Sequence, residues 1–273
     1  MRSPHRLSLV LQVVVIASVL SAPAFAQPDP QATYEKFRRW VTQLPPEVDE
    51  NDILEQYRRV LAAEGESAVD IARDLRLIEQ QGQRLEIERW NRILTADSPA
   101  FNTDPNRFLV EVIRALPPGK ALDVGMGQGR NAIYLAQQGW DVTGFDPADR
   151  AVAVAEATAK RLGLSLTTRV QRDDEFDFGK AQWDLVVMTY VAVRELVPRV
   201  YDGLKPGGLV VIEGFHRDAT QNASIGGAVV FDTNELPEMF KQFRILRYED
   251  VDDDADFPVR KMRLVKLLAQ KPL

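Results

Sequence analysis

The sequence contains no cysteine. Disulfides, thiolate zinc sites and a cysteine nucleophile are therefore excluded. Histidine is nearly as scarce: His5 and His216 are the only two in 273 residues. A histidine-built metal cluster is excluded with them. Carboxylate-bound magnesium is the one metal chemistry left open, and we assign no metal site. Positive charge is in deficit, with 34 Lys and Arg against 40 Asp and Glu, a net charge of -6. Such a surface repels phosphates, so no nucleic-acid partner is expected. An apolar run long enough to span a bilayer, about 20 residues, is also missing. The chain does have 45% apolar and 27% charged residues, the balance of a soluble globular protein. Its length suits one α/β domain with a helical extension.

Residues 1–26 read as an export signal. Arg2 and Arg6 form a positive start, Leu7 to Leu20 an apolar centre, and Ala24-Phe-Ala26 a small-x-small cleavage site. Gln27 is the expected mature start, which places the protein outside the cytoplasm, in the periplasm or secreted. An uncleaved segment would instead anchor the chain to a membrane, and an unused one would leave it cytoplasmic.

Residues 27–97 read as a helical extension. Tyr34, Phe37, Trp40 and Val41 recur at helical spacing, and Leu44-Pro-Pro46 ends that helix. Asn51-Asp52 can cap a second helix carrying Ile53, Leu54, Tyr57, Val60 and Leu61, which closes near Gly65. Ser67 can cap a third, whose apolar stripe runs from Val69 to Leu94. Gly82 sits inside it, where a break is expected. The many Arg and Glu residues suit a solvated face, although these helices could also cover an active site or meet a partner subunit.

Residues 98–273 form the main domain. A connection rich in turn formers, including Phe101-Asn-Thr-Asp-Pro-Asn106, precedes a short helix, Arg107 to Leu116. Strands are then predicted at Ala121–Val124, Trp140–Phe145, Ser165–Gln171, Trp183–Thr189 and Leu209–Glu213. Helices fall between them at Asn131–Gln138, Ala148–Leu162 and Ala192–Leu204, with Pro198 suited to a helix start. Thr233 can cap a short helix, Glu235–Lys241. Two strand-like runs follow, Phe243–Tyr248 and Arg260–Ala269, separated by the acidic stretch Glu249–Asp256. With no room for a helical crossover, they should pair antiparallel. The predicted fold is α/β and Rossmann-like: a seven-stranded, mostly parallel sheet with an antiparallel final strand and helices on both faces.

The chain is organised around Ala121-Leu-Asp-Val-Gly-Met-Gly-Gln-Gly-Arg-Asn131. Strand, glycine turn and helix build a nucleotide-type pocket, because glycine lets the backbone turn sharply and approach a ligand closely. Dinucleotide enzymes require G-x-G-x-x-G/A, but Arg130 occupies the last position. The pattern present is Asp123 followed by G-x-G-x-G. This resembles motif I of the class I S-adenosylmethionine-dependent methyltransferases. The Lys205-Pro-Gly-Gly208 turn and the final hairpin fit the same superfamily. Gly127-Gln-Gly-Arg-Asn-Ala-Ile-Tyr-Leu-Ala136 and Gly139–Asp146 are similar to the tellurite-resistance-type and thiopurine-type members, as are Asn102–Leu109 and Tyr248–Leu268. Met126 replaces the cysteine frequent between the first two glycines, which matters little where the backbone binds.

The resemblance implies the cofactor S-adenosyl-L-methionine and methyl transfer to a small-molecule acceptor. It implies cofactor contacts at Asp123, Gly125, Met126, Gly127, Gly129, Asp146, Pro147, Asp173, Asp174 and Thr189. Asp146, ending the second strand, suits the ribose hydroxyls, and Asp173-Asp174 the adenine amino group. On the substrate side stand Phe101, as an aromatic wall of a possible lid, Tyr190 and Arg194. Arg194 suits an anionic acceptor or a salt bridge; Tyr190 suits chemistry or packing. His216, the only histidine of the mature chain, is the candidate base, against the alternative of a surface histidine. Glu213 receives no role. Export of a protein that needs a cytoplasmic cofactor leaves a second reading open: a binding module that keeps this fold and has lost catalysis.

Overall fold

The structure is a computed structural model that describes residues 28–45, 52–222 and 227–273. The export segment, Gln27 and the capping position Asn51 lie outside the described residues. The chain divides into two compact units, Met1–Gly82 and Gln83–Leu273. The division falls inside the third helix, upstream of the boundary expected at residues 97–98.

Among the described residues three helices come first: α1 (Pro30–Val41), α2 (Ile53–Ala63) and α3 (Ala68–Leu94). Asp29 caps α1 by accepting from Gln31 N at 3.0 Å. Ser67 caps α3 as expected, its Oγ accepting from Asp70 N at 3.1 Å. Asp52 precedes α2 without a side-chain capping bond. Tyr57, Leu61, Ile71 and Ile78 are buried together, with Tyr34, Phe37 and Trp40 packed on them. The break expected at Gly82 is absent. There a Cβ would meet the Tyr34 ring at 3.5 Å, so the missing side chain makes room for an aromatic neighbour while the helix continues.

The second unit is built from α4 (Arg107–Ile113), β1 (Lys120–Val124), α5 (Arg130–Gln137), β2 (Asp141–Asp146), α6 (Asp149–Arg161), β3 (Thr167–Val170) and β4 (Trp183–Thr189). A single 3-10 turn, Arg194–Leu196, leads into α7 (Val197–Gly203), with Pro198 in its first turn as anticipated. There follow β5 (Leu204–His216), β6 (Val230–Phe231), α8 (Glu235–Met239), β7 (Arg244–Asp256) and β8 (Val259–Gln270).

Several boundaries differ from expectation: α4 ends at Ile113, β5 begins at Leu204 and takes in the Lys205–Gly208 turn, and helix starts only at Arg194 after β4. The acidic stretch Glu249–Asp256 is strand, and only Phe257-Pro258 turns the hairpin. Its carboxylates are matched across the hairpin, as in Asp250 with Arg263 (2.6 Å) and Asp253 with Lys266, which offsets the poor strand propensity of aspartate. Strand β5 extends beyond Glu213 because Gly214, Phe215 and His216 continue pairing, with β8 and with the two-residue β6. Asn234, at φ +64°, rather than Thr233, precedes α8; Thr233 is turned to His216 instead.

The sheet order is β3-β2-β1-β4-β5-β8-β7, with β6 added beside β5. Strands β1 to β5 are parallel, and β8 enters antiparallel between β5 and β7. The period of two splits the core between the faces. Leu122, Val124, Val186, Met188, Val210 and Ile212 face one side, toward Val200 and Leu236. Ala121, Leu185, Val187 and Val211 face the other, toward α4 and α5. Strand order reverses between β1 and β4. A crevice therefore opens past their carboxyl ends, the switch point of an open α/β sheet.

Candidate functional site

The turn after β1 holds Gly125, Gly127 and Gly129 at φ +65°, +55° and +81°. A Cβ at Gly125 would stand 2.4 Å from Val191 Cγ1, and one at Gly129 would stand 2.8 Å from Ala155 Cβ. The turn thus has neither the backbone freedom nor the space for side chains at these positions. Met126 points inward: its backbone N–H donates to Phe145 O at 3.0 Å, and its side chain is buried with Val152 and Ala155.

Two carboxyls flank the turn. Asp146 ends β2, accepting from Gly127 N at 2.9 Å and Ala148 N at 2.8 Å. Each oxygen keeps a second lone pair. Burial raises this carboxyl's pKa, against the lowering effect of those two bonds. Pro147 starts the bend that follows. Asp123 lies on the α5 face of β1, 1% exposed. Burial pushes it up to about 7, opposed by the Arg130 charge and the Ala132 N–H. Its Oδ2 is fully buried and has no hydrogen-bond partner.

The other wall follows β4. Thr189 Oγ1 accepts from Asn131 Nδ2 at 3.1 Å. Tyr190, at φ +58°, sends its hydroxyl to Glu213 Oε1 at 2.6 Å and accepts from Asp256 N at 3.1 Å. Burial and the neighbouring Glu213 and Asp256 charges hold this phenol well above its ordinary range. Tyr190 is thereby the rim of a buried polar network. Asn106 Nδ2 donates to Glu213 Oε1 (2.8 Å) and to Asp256 Oδ2 (2.9 Å). Asn102 Nδ2 donates to Asp256 Oδ1 at 2.8 Å, and Arg130 Nη2 pairs with Asp256 Oδ2 at 2.8 Å. Arg130 also donates to Asp104 O at 2.9 Å. The residue that departs from the dinucleotide pattern therefore ties the Asn102–Asn106 loop and the end of β7 to the start of α5. Glu213, raised by burial, belongs to this network although the sequence reading gave it no role. Asn102, Asn106, Asn131 and Asp256 were likewise passed over. One signal was available for Asn106, an N-cap three residues before Leu109, whose N–H its Oδ1 does accept (3.0 Å).

Phe101 is 5% exposed and stacks on Phe257 with centroids 4.7 Å apart, while Trp90 meets Phe257 edge-on at 5.9 Å. The end of α3 also reaches the glycine turn. A Cβ at Gly127 would lie 3.4 Å from Leu94, and Asn91 bonds Asp149 Oδ1 (2.7 Å) and Arg150 N (2.9 Å) at the start of α6. The C-terminal turns of α3 therefore contribute to the walls around the turn.

Arg194 is salt-bridged, with Nη2 2.6 Å from Glu235 Oε1 and 2.7 Å from Val230 O, and its guanidinium lies over Phe231. His216 is 5% exposed, so the surface-histidine alternative does not hold. Its Nδ1 accepts from Asp218 N at 3.1 Å, and its Nε2 lies 2.9 Å from Thr233 Oγ1. A backbone N–H can only donate, so Nδ1 is unprotonated and Nε2 carries the proton. Beyond β3, Asp174 is exposed and paired with Arg172 at 2.8 and 3.0 Å. Asp173 is half-buried, with Oδ1 accepting from Asp174 N at 2.9 Å. A separate open groove of about 340 Å³ lies between α5 and α6, lined by Gln128, Tyr134 and Val154 among others. Among the described residues no helix is long and apolar enough to cross a membrane, and no group of acidic or histidine side chains is arranged to hold a metal.

The chain is 28% identical over 179 residues to a Haemophilus influenzae protein named "Probable S-adenosyl-L-methionine-dependent methyltransferase TehB", covering 60% of this chain and 61% of that one. The crystal structure of TehB from Haemophilus influenzae superposes with a TM-score of 0.53 at 24% identity, covering 60% of this chain and 61% of that chain. A Burkholderia thailandensis 1,6-didemethyltoxoflavin-N1-methyltransferase, solved with bound 1,6-didemethyltoxoflavin and S-adenosylhomocysteine, superposes with a TM-score of 0.53 at 20% identity, covering 70% of this chain and 87% of that chain. The chain thus spans about three-fifths of the curated relative it matches, and these superpositions show the Rossmann-like methyltransferase fold. Residues 101–267, which hold the glycine turn, the polar network and the hairpin, match the family model of the tellurite resistance protein TehB, and the chain belongs to that family.

Proposed function

We propose that this protein is an S-adenosylmethionine-dependent methyltransferase acting on a small-molecule acceptor. The observation that carries the reading is the pairing of a turn with glycine at three alternate positions with two buried carboxyls, one of which has an unpartnered oxygen. A buried polar atom left unsatisfied is costly, and a ligand donor is one way to satisfy it. The residues present fit the cofactor. Gly125 to Gly129 supply open backbone, Asp146 has lone pairs for the ribose hydroxyls, and Asp123 can receive a cationic donor. Asp173 suits the adenine amino group, whereas the Asp174 carboxylate is engaged by Arg172. When bound, S-adenosylmethionine supplies an activated methyl group for in-line displacement, so the protein's part is position and exclusion of water. Phe101, Phe257 and Trp90 give an apolar wall beside the turn. Tyr190 and Thr189 hold the end of β4 against it. His216 serves as a base in this reading only if its Nδ1 gives up the Asp218 N–H, and a soft anionic acceptor needs no base.

Isothermal calorimetry with S-adenosylhomocysteine tests the reading, with binding expected in the micromolar range and absence of heat at millimolar ligand refuting it. We further propose export, on the strength of Arg2, Arg6, the Leu7–Leu20 run and Ala24-Phe-Ala26. That segment also favours the second reading, a binding module without catalysis. It predicts that S-adenosylhomocysteine binds while no methyl transfer follows across a panel of thiols and selenite.

A further inference from the structure

Outside the network described above, one arginine grips the segment that follows β3 by two backbone carbonyls and one ring. Arg199 lies in α7, a helix on the Val200 face of the sheet, away from the glycine turn. Its Nη1 donates to Asp173 O at 2.5 Å, its Nη2 donates to Phe176 O, and its guanidinium lies over the Phe178 ring, 4.7 Å from the centroid. One planar group thus fixes two carbonyls and one ring of the segment that follows β3. A guanidinium can do this because its donors leave in fixed directions while its face remains free to stack. Lysine cannot hold the same three partners with one ammonium.

The same segment packs under the ribose-side carboxyl. Phe176 stacks on Phe145 with centroids 4.2 Å apart at 12°, and Phe178 meets Phe145 edge-on at 6.0 Å. Phe145 is the residue before Asp146. Asp173, at the start of the segment, is therefore held by Arg199 on its carbonyl and by the Phe145 contacts three residues further on. Its own side chain makes one local bond, to Asp174 N, which orients the carboxylate and leaves Oδ2 for a ligand.

We propose that Arg199 is a positioning residue that sets the purine selectivity of the site, by fixing the Asp173 carboxylate where a 6-amino group donates to it. The inference rests on the cofactor reading above, and it names a residue that touches no cofactor atom.

The test is calorimetry on the full chain with two probes, S-adenosylhomocysteine and its des-amino analogue, which has hydrogen in place of the 6-amino group. The native protein should prefer the amino form by about tenfold or more, the scale of one charge-assisted hydrogen bond. In Arg199→Met the preference should fall to within about threefold, a loss of most of that one bond's discrimination. Arg199→Lys, which keeps the charge but loses the planar fork of donors, should fall between the two. It is the variant read if Arg199→Met does not fold by circular dichroism. Asp173→Ala should abolish the preference, and Arg199→Met added to it should change the ratio no further, because the two act in one chain. An unaltered ratio in both Arg199 variants would overturn the proposal. So would equal affinity of the native protein for the two probes, which would leave the cofactor reading standing. Binding of neither probe would refute the cofactor reading itself.

Discussion

Replacing Asp256 by alanine should be among the most damaging single changes in this chain. The residue is 4% exposed, so water cannot substitute freely for what is lost. Its carboxylate accepts from Asn102 Nδ2 at 2.8 Å and Asn106 Nδ2 at 2.9 Å, and pairs with Arg130 Nη2 at 2.8 Å. Removing it leaves Arg130, 11% exposed at its side chain, without its counter-charge, although the bond to Asp104 O remains. Breaking one side of such a buried pair costs about 3–5 kcal/mol. The two amides lose an acceptor as well, but Asn106 still reaches Glu213, so we expect the total to stay within that range. Asp256→Asn keeps an acceptor and loses the charge, and should cost about 1–3 kcal/mol, the range for a charged hydrogen bond. Urea unfolding followed by tryptophan fluorescence measures both, with the midpoint falling at constant slope. The double variant Arg130→Ala/Asp256→Ala should be less unstable than the sum of the singles by about 1–3 kcal/mol, because each single leaves a buried partner stranded. A loss below about 1 kcal/mol for Asp256→Ala, with strictly additive singles, would show that the network is not a stabilising unit.

Three further outcomes are expected. Burial pushes Asp123 up to about 7, against about 4 when unfolded. The folded state thus favours the protonated form, and this stabilisation is full below about pH 4 and lost as pH rises through about 7, a few kcal/mol in all. Asp123→Asn should flatten that window in urea midpoints taken from pH 4 to 8, and a variant as steep as the parent would refute the assignment. Asp146→Ala should weaken S-adenosylhomocysteine binding by about 1–3 kcal/mol, the value of a poorly paired polar group; equal calorimetric affinity would remove Asp146 from the site. Gly125→Ala combines a left-handed φ of +65° with a Cβ 2.4 Å from Val191, so its melting temperature should fall, and Val191→Ala should restore part of the loss by removing the clash but not the backbone strain. No recovery in the double variant would place the damage elsewhere.

The glycine turn, Asp146 and the final antiparallel pair were legible because each is a local pattern: a spacing of two, a carboxylate at a strand end, and two apolar runs too close for a crossover. The polar network was not, because its members are far apart in sequence, Asn106 and Glu213 being separated by 107 positions and Asn106 and Asp256 by 150. No window of sequence contains the pair. Asp256 is further hidden by its neighbours, since the acidic run Glu249–Asp256 reads only as a separator of two strands until β8 supplies Arg263 and Lys266 across it. Glu213 carried a faint signal: a lone acid ending the run Leu209-Val-Val-Ile, in a strand otherwise built to be buried, requires partners somewhere. Arg130 was read for what it excludes, a dinucleotide turn. Its structural meaning is additive, since the same side chain that breaks the G-x-G-x-x-G pattern supplies the cation for Asp256 and so joins the cofactor-side turn to the loop carrying Phe101. A substitution that restored the dinucleotide pattern, Arg130→Ala, should therefore loosen the Phe101 wall before it altered cofactor preference. Phe101→Trp places a fluorophore in that wall, and its acrylamide quenching, taken as the difference from the same background without the added tryptophan because the chain has four of its own, should rise in Arg130→Ala; equal difference quenching with and without Arg130 would mean the wall stands without the arginine.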